Sequence, residues 1–519
     1  MILFDHSPIS IEDVNAIARG EVMVMLSDAA DFREQISRGS RFLEQLLEED
    51  GAIYGVTTGY GDSCTTMIPA DLVAELPHRL YTFHGCGLGN VLPPEHSRAV
   101  VAARLNSLTM GYSGVTEGLL EQLTLLLRND ILPVIPEEGS VGASGDLTPL
   151  SYVAAVLCGE REVYYQGERR NTAEVFEAEG IRPLRLKPKE GLAIMNGTAV
   201  MTGLACVAWE RAEYLSRLAT RITAMATLVL DGNAHHFDET LFSVKPHPGQ
   251  QAVAARLRKD LHAGEPPRNP DRLQDRYSLR CAPHVIGVLE DALPWFRQFI
   301  ENELNSANDN PIIDAEGRHV LHGGHFYGGH IAFAMDCLKT AVANIADLLD
   351  RQLAQMMDVK FNHGLPANLS GAQGERRAIN HGFKAVQIGA SAWTAEALKL
   401  TMPASVFSRS TECHNQDKVS MGTIAARDCL RILQLTEQVA AASLLAVSQG
   451  LELRLAQGDI THEGLGEALQ SMVAAIRETS PHLLEDRALE GDLRALIDQI
   501  QNRHWTLYPD ETYPEETAP

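Results

Sequence analysis

Long stretches of helical periodicity constrain the fold of this chain more than any other feature. Apolar residues recur at steps of three and four from Leu338 to Met356, and a second apolar-faced run extends from Leu430 to Val447 and stops at Gly450. A third stretch covers about Val200 to Leu230. Because this spacing places apolar side chains on one helix face, it predicts a mainly α-helical protein with a long central bundle. Strand signals are short, at 163–167 and 312–320, so we expect little sheet.

The composition is that of a large folded protein. The chain has 519 residues, of which 45% are hydrophobic and 22% charged, and its formal net charge is −24. This charge argues against a nucleic-acid backbone or an anionic membrane surface as the main partner. The eight cysteines are scattered without Cys-x-x-Cys or zinc-finger spacing, which is typical of reduced thiols. The first residues lack the pattern of a signal peptide, so we predict a cytoplasmic location.

One uncharged segment, from Gly191 to Trp209, approaches the roughly 20 apolar residues that a spanning helix needs. It contains three polar side chains and three glycines, and a glutamate stands at each end. We therefore predict a buried segment of a globular core and no membrane partner.

The turn Gly142-Ala-Ser-Gly-Asp146 can convert its own backbone into an electrophile. If the amide nitrogen of Gly145 attacks the carbonyl carbon of Ala143 and Ser144 loses its hydroxyl, loss of water leaves a five-membered imidazolone with an exposed methylidene carbon. Gly145 suits such a ring because it lacks a Cβ and tolerates strained backbone angles. Three small residues more often form a plain turn, so this interpretation needs support from other residues.

Two other segments carry side chains suited to catalysis or binding. Tyr54-Gly-Val-Thr-Thr-Gly-Tyr-Gly61 is rich in glycine, which suits a mobile loop that closes over a site and presents a phenol. Arg280 could bind a substrate carboxylate through paired, charge-assisted hydrogen bonds. The alternatives are a plain turn and a solvated surface arginine.

A histidine cluster offers a weaker, metal-dependent alternative. His322, His325 and His330 lie in one glycine-rich segment, and imidazoles are good ligands for zinc or iron. The spacing contains neither a helical i, i+4 pair nor a His-Glu-x-x-His motif. A metal site is therefore less well supported than the electrophile, and we predict no metal in the site.

Six blocks of this sequence, taken together and in order, resemble the aromatic amino acid lyase family. This family comprises the histidine, phenylalanine and tyrosine ammonia-lyases and the related 2,3-aminomutases, which use a 4-methylidene-imidazole-5-one group. The blocks are Tyr54-Gly-Val-Thr-Thr-Gly-Tyr-Gly61, Gly139-Ser-Val-Gly-Ala-Ser-Gly-Asp-Leu-Thr-Pro-Leu150, Lys189-Glu-Gly-Leu-Ala-Ile-Met-Asn-Gly-Thr198, Gln274 to Arg280, Asn308-Asp-Asn-Pro311, and Asn415-Gln-Asp-Lys-Val-Ser-Met421.

The resemblance implies an organisation for the whole chain. A region 1–205 is expected to carry the prosthetic group and the lid loop, and a helical bundle region to occupy 206–508. Residues 509–519 are acidic and rich in proline, and this composition predicts a flexible tail. The family assembles as a homotetramer in which each site is built from three subunits. The partners implied are a small amino acid substrate and other copies of this chain, with no nucleic acid.

The resemblance also implies roles for individual residues. The imidazolone, formed autocatalytically from Ala143, Ser144 and Gly145 without an external cofactor, would take up the substrate amine and so make ammonia a better leaving group. Tyr54 resembles the family's base for the β-proton, and Arg280 would bind the carboxylate. The remaining positions orient the amine and the prosthetic group or pack near the substrate ring; they are Asn196, Gln274, Tyr277 and Phe326.

Two further positions address the substrate. His84 matches the residue of tyrosine- and histidine-using members, whereas phenylalanine enzymes tend to carry Phe there. Histidine enzymes place a glutamate where this chain has Gln416. Together they predict L-tyrosine, converted to 4-coumarate, because His84 can hydrogen-bond a phenolic hydroxyl whereas an imidazole substrate would gain from a carboxylate. His325 departs from the family's usual asparagine.

Several alternatives stay open beside the tyrosine ammonia-lyase. They are a histidine ammonia-lyase that forms urocanate, a broad lyase for tyrosine, phenylalanine and histidine, a tyrosine 2,3-aminomutase, the metal-dependent enzyme, and a non-catalytic scaffold that kept the fold.

Overall fold

The computed structural model describes residues 1–49, 52–264, 268 and 272–509, and α-helices dominate it, as predicted. The helices, in chain order, are α1 (Ile11–Ala18), α2 (Ala30–Glu48), α3 (Leu76–Phe83), α4 (Pro94–Thr109), α5 (Glu117–Arg128), α6 (Leu147–Leu157), α7 (Thr172–Glu179), α8 (Glu190–Met195), α9 (Ala199–Val229), α10 (Glu239–Ser243), α11 (Pro248–Asp260), α12 (Tyr277–Arg280), α13 (Ala282–Leu304), α14 (Gly329–Met357), α15 (Lys384–Lys399), α16 (Gly422–Gln457), α17 (His462–Leu465), α18 (Glu467–Thr479) and α19 (Glu490–Gln501).

The strands are short and form small separate sheets. They are β1 (Ile2–Phe4), β2 (Val24–Leu26), β3 (Leu88–Val91), β4 (Leu132–Pro133), β5 (Pro136–Glu138), β6 (Glu162–Tyr165), β7 (Glu168–Asn171), β8 (Ile312–Asp314) and β9 (His319–Leu321). β1 and β2 pair in parallel, whereas β3–β5, β4–β6–β7 and β8–β9 are antiparallel. The two strand signals seen in the sequence correspond to the hairpins β6–β7 and β8–β9.

The three periodic stretches lie in α9, α14 and α16, but the predicted stop at Gly450 is wrong. Helix α16 continues through Gly450 to Gln457. A Cβ atom at Gly450 would come within 2.5 Å of Val229 Cγ1. The glycine therefore permits close packing of two helices, which outweighs its low helix propensity.

By internal contacts, the chain divides into two compact units. Unit 1 contains Met1–Glu210, Phe296–Cys337 and Pro403–Cys429, and unit 2 contains Arg211–Trp295, Leu338–Met402 and Leu430–Pro519. The chain leaves unit 1 near the predicted division at residue 205 but returns to it twice. The consecutive regions 1–205 and 206–508 stay a prediction, and within the tail 509–519 only Pro509 lies among the described residues.

One helix among the described residues, α16, is long and apolar enough to cross a membrane by length and composition alone. In its most apolar window, 78% of the residues are buried inside the protein. A core helix of a globular protein passes the same test, so this is weak evidence for a span. The uncharged segment 191–209 occupies α8 and the start of α9, where its side chains are buried, as expected.

Three helices of unit 1 bring the ends of distant segments together. Helices α3, α6 and α8 pack against one another. His84 is the C-cap of α3, Asp146 is the N-cap of α6, and Asn196 is the C-cap of α8. The packing of these three helices therefore positions the turn 142–146 and two of the predicted site residues.

Candidate active site

Gly145 is held by hydrogen bonds on both sides of its own peptide. Gly197 N donates to Ser144 O over 3.0 Å, and Asp146 N donates to Gly197 O over 2.8 Å. Gly145 has φ +72°, and a Cβ there would clash with the carbonyl of Gly197. Only glycine fits this close approach without a shift of the backbone.

The two backbone groups that would react in the predicted ring closure make no hydrogen bond in the part of the chain that the structure describes. Among the described residues, no hydrogen bond engages Gly145 N or Ala143 O. Ala143 is buried, 8% exposed. The turn therefore combines a strained glycine, a small neighbour and two free backbone groups, which fits the imidazolone that the sequence predicts.

A buried carboxyl group lies directly after the turn. Asp146 accepts from Met201 N at 3.0 Å, from Ser140 Oγ at 3.1 Å and from Thr423 Oγ1. Burial raises the pKa of Asp146, and these hydrogen bonds oppose the rise. Its partners come from three separate segments, so Asp146 ties the start of α6 to its surroundings.

Gln416 reaches the turn from a tight hairpin. Gln416 Nε2 donates to Ser144 Oγ over 3.2 Å, and Thr411 Oγ1 donates to Gln416 Oε1 over 3.1 Å. Backbone hydrogen bonds between Thr411 and Gln416 close the hairpin. The structure thus brings an amide, not a carboxylate, to the serine.

Asn196 is buried with an unpaired acceptor. It is 2% exposed, and its Oδ1 has no hydrogen-bond partner. Its backbone carbonyl accepts from Arg104 Nη1 at 2.7 Å. A buried polar atom without a partner is costly, so Asn196 Oδ1 is a candidate acceptor for a ligand.

Tyr54 lies in a turn whose neighbours are anchored in the core. Ile53 and Val56 are buried in a cluster with Phe42, Leu43 and Ile313. Tyr54 Oη accepts a hydrogen bond from Gly61 N at 2.8 Å. Burial, and secondarily the carboxylate of Glu412, raises the pKa of Tyr54, whereas the Gly61 N–H lowers it.

Glu412 links this loop to the hairpin that carries Gln416. Its carboxylate oxygens accept from Asp62 N at 2.9 and 3.0 Å. Glu412 has a positive φ, as do the next two residues. The sequence analysis missed Glu412 because no local motif marks a contact between such distant segments.

His84 is half-buried at the end of α3. Its Nδ1 lies 3.5 Å from Thr148 Oγ1, and its carbonyl accepts from Ser151 Oγ at 3.2 Å. Burial lowers the pKa of His84 to about 4. The imidazole is therefore neutral near pH 7 and can donate through one nitrogen and accept through the other.

The three histidines of the metal-dependent alternative form no ligand set in the part of the chain that the structure describes. The ring of His322 lies edge-on to Tyr54, with centroids 6.3 Å apart, whereas His330 contacts Phe299. Among the described residues, no group of three His, Cys, Asp or Glu side chains could hold a metal. His325 is exposed and Phe326 is half-buried in the same loop.

The remaining predicted residues lie in unit 2. Arg280 Nε donates to Asp275 O over 3.0 Å, its Nη2 donates to Gln274 Oε1 over 3.3 Å, and its guanidinium lies 4.8 Å from the centroid of the Tyr277 ring. Tyr277 is 72% exposed. Gln274 and Tyr277 line an open cavity of about 1490 Å³ whose described walls belong to unit 2, and Arg280 adjoins it through its contacts with these two residues.

A buried ion pair that sequence reasoning missed supports unit 1. Lys189 Nζ lies 2.5 Å from Asp309 Oδ2, and the side chains are 2% and 0% exposed. Ser113 Oγ donates to the other oxygen of Asp309. Both charged residues lie in blocks that carry the family resemblance, but their pairing joins distant segments and therefore leaves no local signal in the sequence.

Comparisons with known proteins indicate one family over nearly the whole chain. A family model described as aromatic amino acid lyase matches residues 9–478. The histidine ammonia-lyase of Geobacillus sp. (strain WCH70) is 36% identical over 98% of both chains. A tyrosine aminomutase structure from Streptomyces globisporus has TM-score 0.88 and 33% identity over 97% of both chains. A histidine ammonia-lyase structure from Trypanosoma cruzi has TM-score 0.87 and 29% identity, covering 97% of this chain and 94% of that one.

Proposed function

This chain belongs to the aromatic amino acid lyase family and is an ammonia-lyase, and on that premise we propose that it converts L-tyrosine to 4-coumarate and ammonia. The neutral character of two side chains carries the choice of tyrosine. A neutral amide, Gln416, donates to Ser144 Oγ, and a neutral imidazole, His84, caps α3. Neutral groups that donate and accept suit a phenol, whereas an imidazole substrate would favour a carboxylate.

We also propose that Ala143, Ser144 and Gly145 form the methylidene-imidazolone that the family uses. The support is the fit of the turn: Gly145 at φ +72° against Gly197, with Gly145 N and Ala143 O free. When present, this group supplies an electrophilic carbon for the substrate amine, which makes ammonia a better leaving group.

The chain's own residues supply the other requirements of the elimination. Arg280 would bind the substrate carboxylate, oriented by Gln274 and by the Asp275 carbonyl. The unpaired Asn196 Oδ1 would accept from the substrate amine, and Tyr277 would help to orient it. Phe326 would pack near the substrate ring.

Tyr54 would remove the β-proton. Its phenol must lose a proton first, and burial opposes this loss. The Gly61 N–H points at the phenol oxygen and favours the anion, so it offsets part of that cost. Positive charge from a bound substrate ammonium would act in the same direction.

We propose a cytoplasmic homotetramer whose sites are shared between subunits. The family resemblance is the ground for this proposal. Co-expression of Ser144→Ala with Arg280→Met would test it, since each variant alone is expected to be inactive and mixed tetramers would contain some intact sites. Activity no higher in the mixture than in either parent would contradict sharing.

Histidine is the second candidate substrate, and the names of the relatives favour it over tyrosine. The histidine ammonia-lyases of Geobacillus and of Gloeobacter violaceus are 36% and 37% identical to this chain over nearly its full length. A histidine lyase would form urocanate. The neutral Gln416 is the residue of this chain that argues against it.

One experiment separates these possibilities. The purified protein is given tyrosine, phenylalanine and histidine in separate reactions and as a mixture, and products are identified by chromatography and mass spectrometry, β-amino acids included. We expect 4-coumarate as the main product, and no turnover in Ser144→Ala. Urocanate as the main product would transfer the proposal to histidine, β-tyrosine would indicate an aminomutase, and activity retained in Ser144→Ala would refute the electrophile.

A further inference from the structure

Gly197 hydrogen-bonds the residues on both sides of Gly145, and the side chains of Arg104 and Asn308 pack against Gly197. Asn308 Oδ1 accepts from Thr198 N at 3.2 Å, and Arg104 Nη1 donates to Asn196 O over 2.7 Å. A Cβ on Gly197 would clash with both Arg104 Nη1 and Asn308 Oδ1. The guanidinium and the amide therefore fill the space directly behind Gly197.

Arg104 lies in the middle of α4 and is completely buried, 0% exposed. Its Nη2 donates to Asn308 Oδ1 at 3.0 Å and to Ser107 Oγ at 2.7 Å. Its hydrogen-bond partners are thus a carbonyl, an amide and a hydroxyl. Burial lowers the pKa of Arg104, and the negative charges of Asp309 and Asp146 oppose that change. A cation at such a place is costly, so its contacts need an explanation.

We propose that Arg104 is a positioning residue for ring closure in the turn Ala143–Gly145. Through Asn196 O and Asn308 it holds Gly197 in place. Gly197 in turn holds Ser144 O and Asp146 N, the groups on either side of Gly145. With both flanks held, the remaining freedom of Gly145 N is small, and the entropy cost of bringing it to the Ala143 carbonyl carbon is largely met by the folded structure.

The closure balances without an oxidant or a co-reactant. The bond from Gly145 N to the Ala143 carbonyl carbon forms, and the carbonyl oxygen leaves as water with the amide hydrogens of Ser144 and Gly145, so that a carbon–nitrogen double bond remains. A second water takes the Ser144 hydroxyl and its Cα hydrogen. The product is two water masses lighter than the encoded chain, and this deficit can be measured without an activity assay.

This inference rests on the proposed function, and the test separates the two. Wild type, Arg104→Met, Arg104→Lys and a matched control, Arg454→Met, are purified, and intact-mass spectra are recorded together with thermal melts. Arg454 is also buried, 3% exposed, and its guanidinium likewise donates to backbone carbonyls, those of Val229 and Asn362, within unit 2. It therefore controls for the general cost of removing a buried arginine.

We expect the two-water deficit in wild type and in Arg454→Met. In folded Arg104→Met, the fraction of chains with the deficit should fall by about fivefold or more, the factor expected when a buried hydrogen-bonding group is lost. Arg104→Lys keeps the charge but not the planar fork, so it should show an intermediate fraction. If Arg104→Met does not fold, Arg104→Lys carries the comparison.

Each result has one meaning. A full deficit in folded Arg104→Met, or in Arg104→Lys where only that variant folds, overturns the positioning role. A deficit lost equally in Arg454→Met shows that general destabilisation is the cause, and this also overturns it. Absence of the deficit in wild type refutes the imidazolone of the proposed function instead.

Discussion

Replacement of Gln416 by glutamate should move the substrate preference towards histidine. Gln416 Nε2 now donates to Ser144 Oγ over 3.2 Å, and a carboxylate at that place can only accept. Thr411 Oγ1 can continue to donate to the retained oxygen. The hairpin should therefore persist while the side chain beside the ring-forming turn changes from a neutral amide to an anion.

The size of the effect follows from the environment of Gln416. A hydrogen bond to a charged group contributes about 1.5–3 kcal/mol. Gln416 is half-buried, so solvent screening keeps the gain near the lower end of this range. About 1.5 kcal/mol corresponds to roughly a tenfold rise in kcat/KM for histidine. Tyrosine gains no comparable charge-assisted contact, so the ratio of the two substrates should rise by about the same factor.

The assay measures kcat/KM for urocanate and 4-coumarate formation by wild type and variant under the same conditions. Gln416→Met is the matched control, because it keeps the length of the side chain without a carboxylate and should not raise the ratio. A histidine-to-tyrosine ratio that stays constant or falls in Gln416→Glu would refute a role of the charge at position 416 in substrate choice.

Three further perturbations test other parts of the structure. Burial, and then the charge of Glu412, raise the pKa of Tyr54 above its usual value, so the phenolate needed for catalysis forms only at alkaline pH and kcat should rise through that range. Glu412→Gln should lower the pKa of Tyr54 and shift the rising limb of the pH–rate profile to lower pH. A limb that does not shift would contradict the contribution of this charge. His84→Phe should lower kcat/KM for tyrosine by up to about tenfold relative to phenylalanine, since a neutral hydrogen bond contributes about 0.5–1.5 kcal/mol; an unchanged ratio in the two-substrate assay would remove His84 from substrate choice. Lys189→Met leaves Asp309 buried without its counter-charge and should cost about 3–5 kcal/mol of unfolding free energy in urea titrations; addition of Asp309→Asn should restore part of the loss, and equal stability of the single and double variants would contradict this.

The long helices were predictable because their signal is local. Apolar residues at helical spacing identify α9, α14 and α16 wherever their partners lie. The helix end was not predictable at Gly450, because a glycine can either end a helix or permit close packing. Contact with Val229 distinguishes the two, and that contact joins residues far apart in the chain.

The ring-forming turn was also visible in the sequence, since the atoms of the proposed ring come from three consecutive residues. The residues that support this turn were not visible in the sequence. Gly197, Arg104 and Asn308 lie in three different segments, and only the tertiary structure shows that Arg104 and Asn308 pack against Gly197. The one local feature that could have pointed to this support is an arginine among the apolar residues of α4, because an arginine is almost never fully buried unless it is paired.

By itself, the sequence determined the helical character of the protein, the chemistry available to Ala143–Ser144–Gly145 and the family resemblance, because each depends on residues that are close in the chain or stand in a recognisable order. Tertiary structure was needed to show the neutral amide at Ser144, the neutral state of His84, and the location of Arg280 in unit 2. These depend on burial and on contacts between distant segments, which set hydrogen bonding and pKa values and leave no periodic or local trace in the sequence.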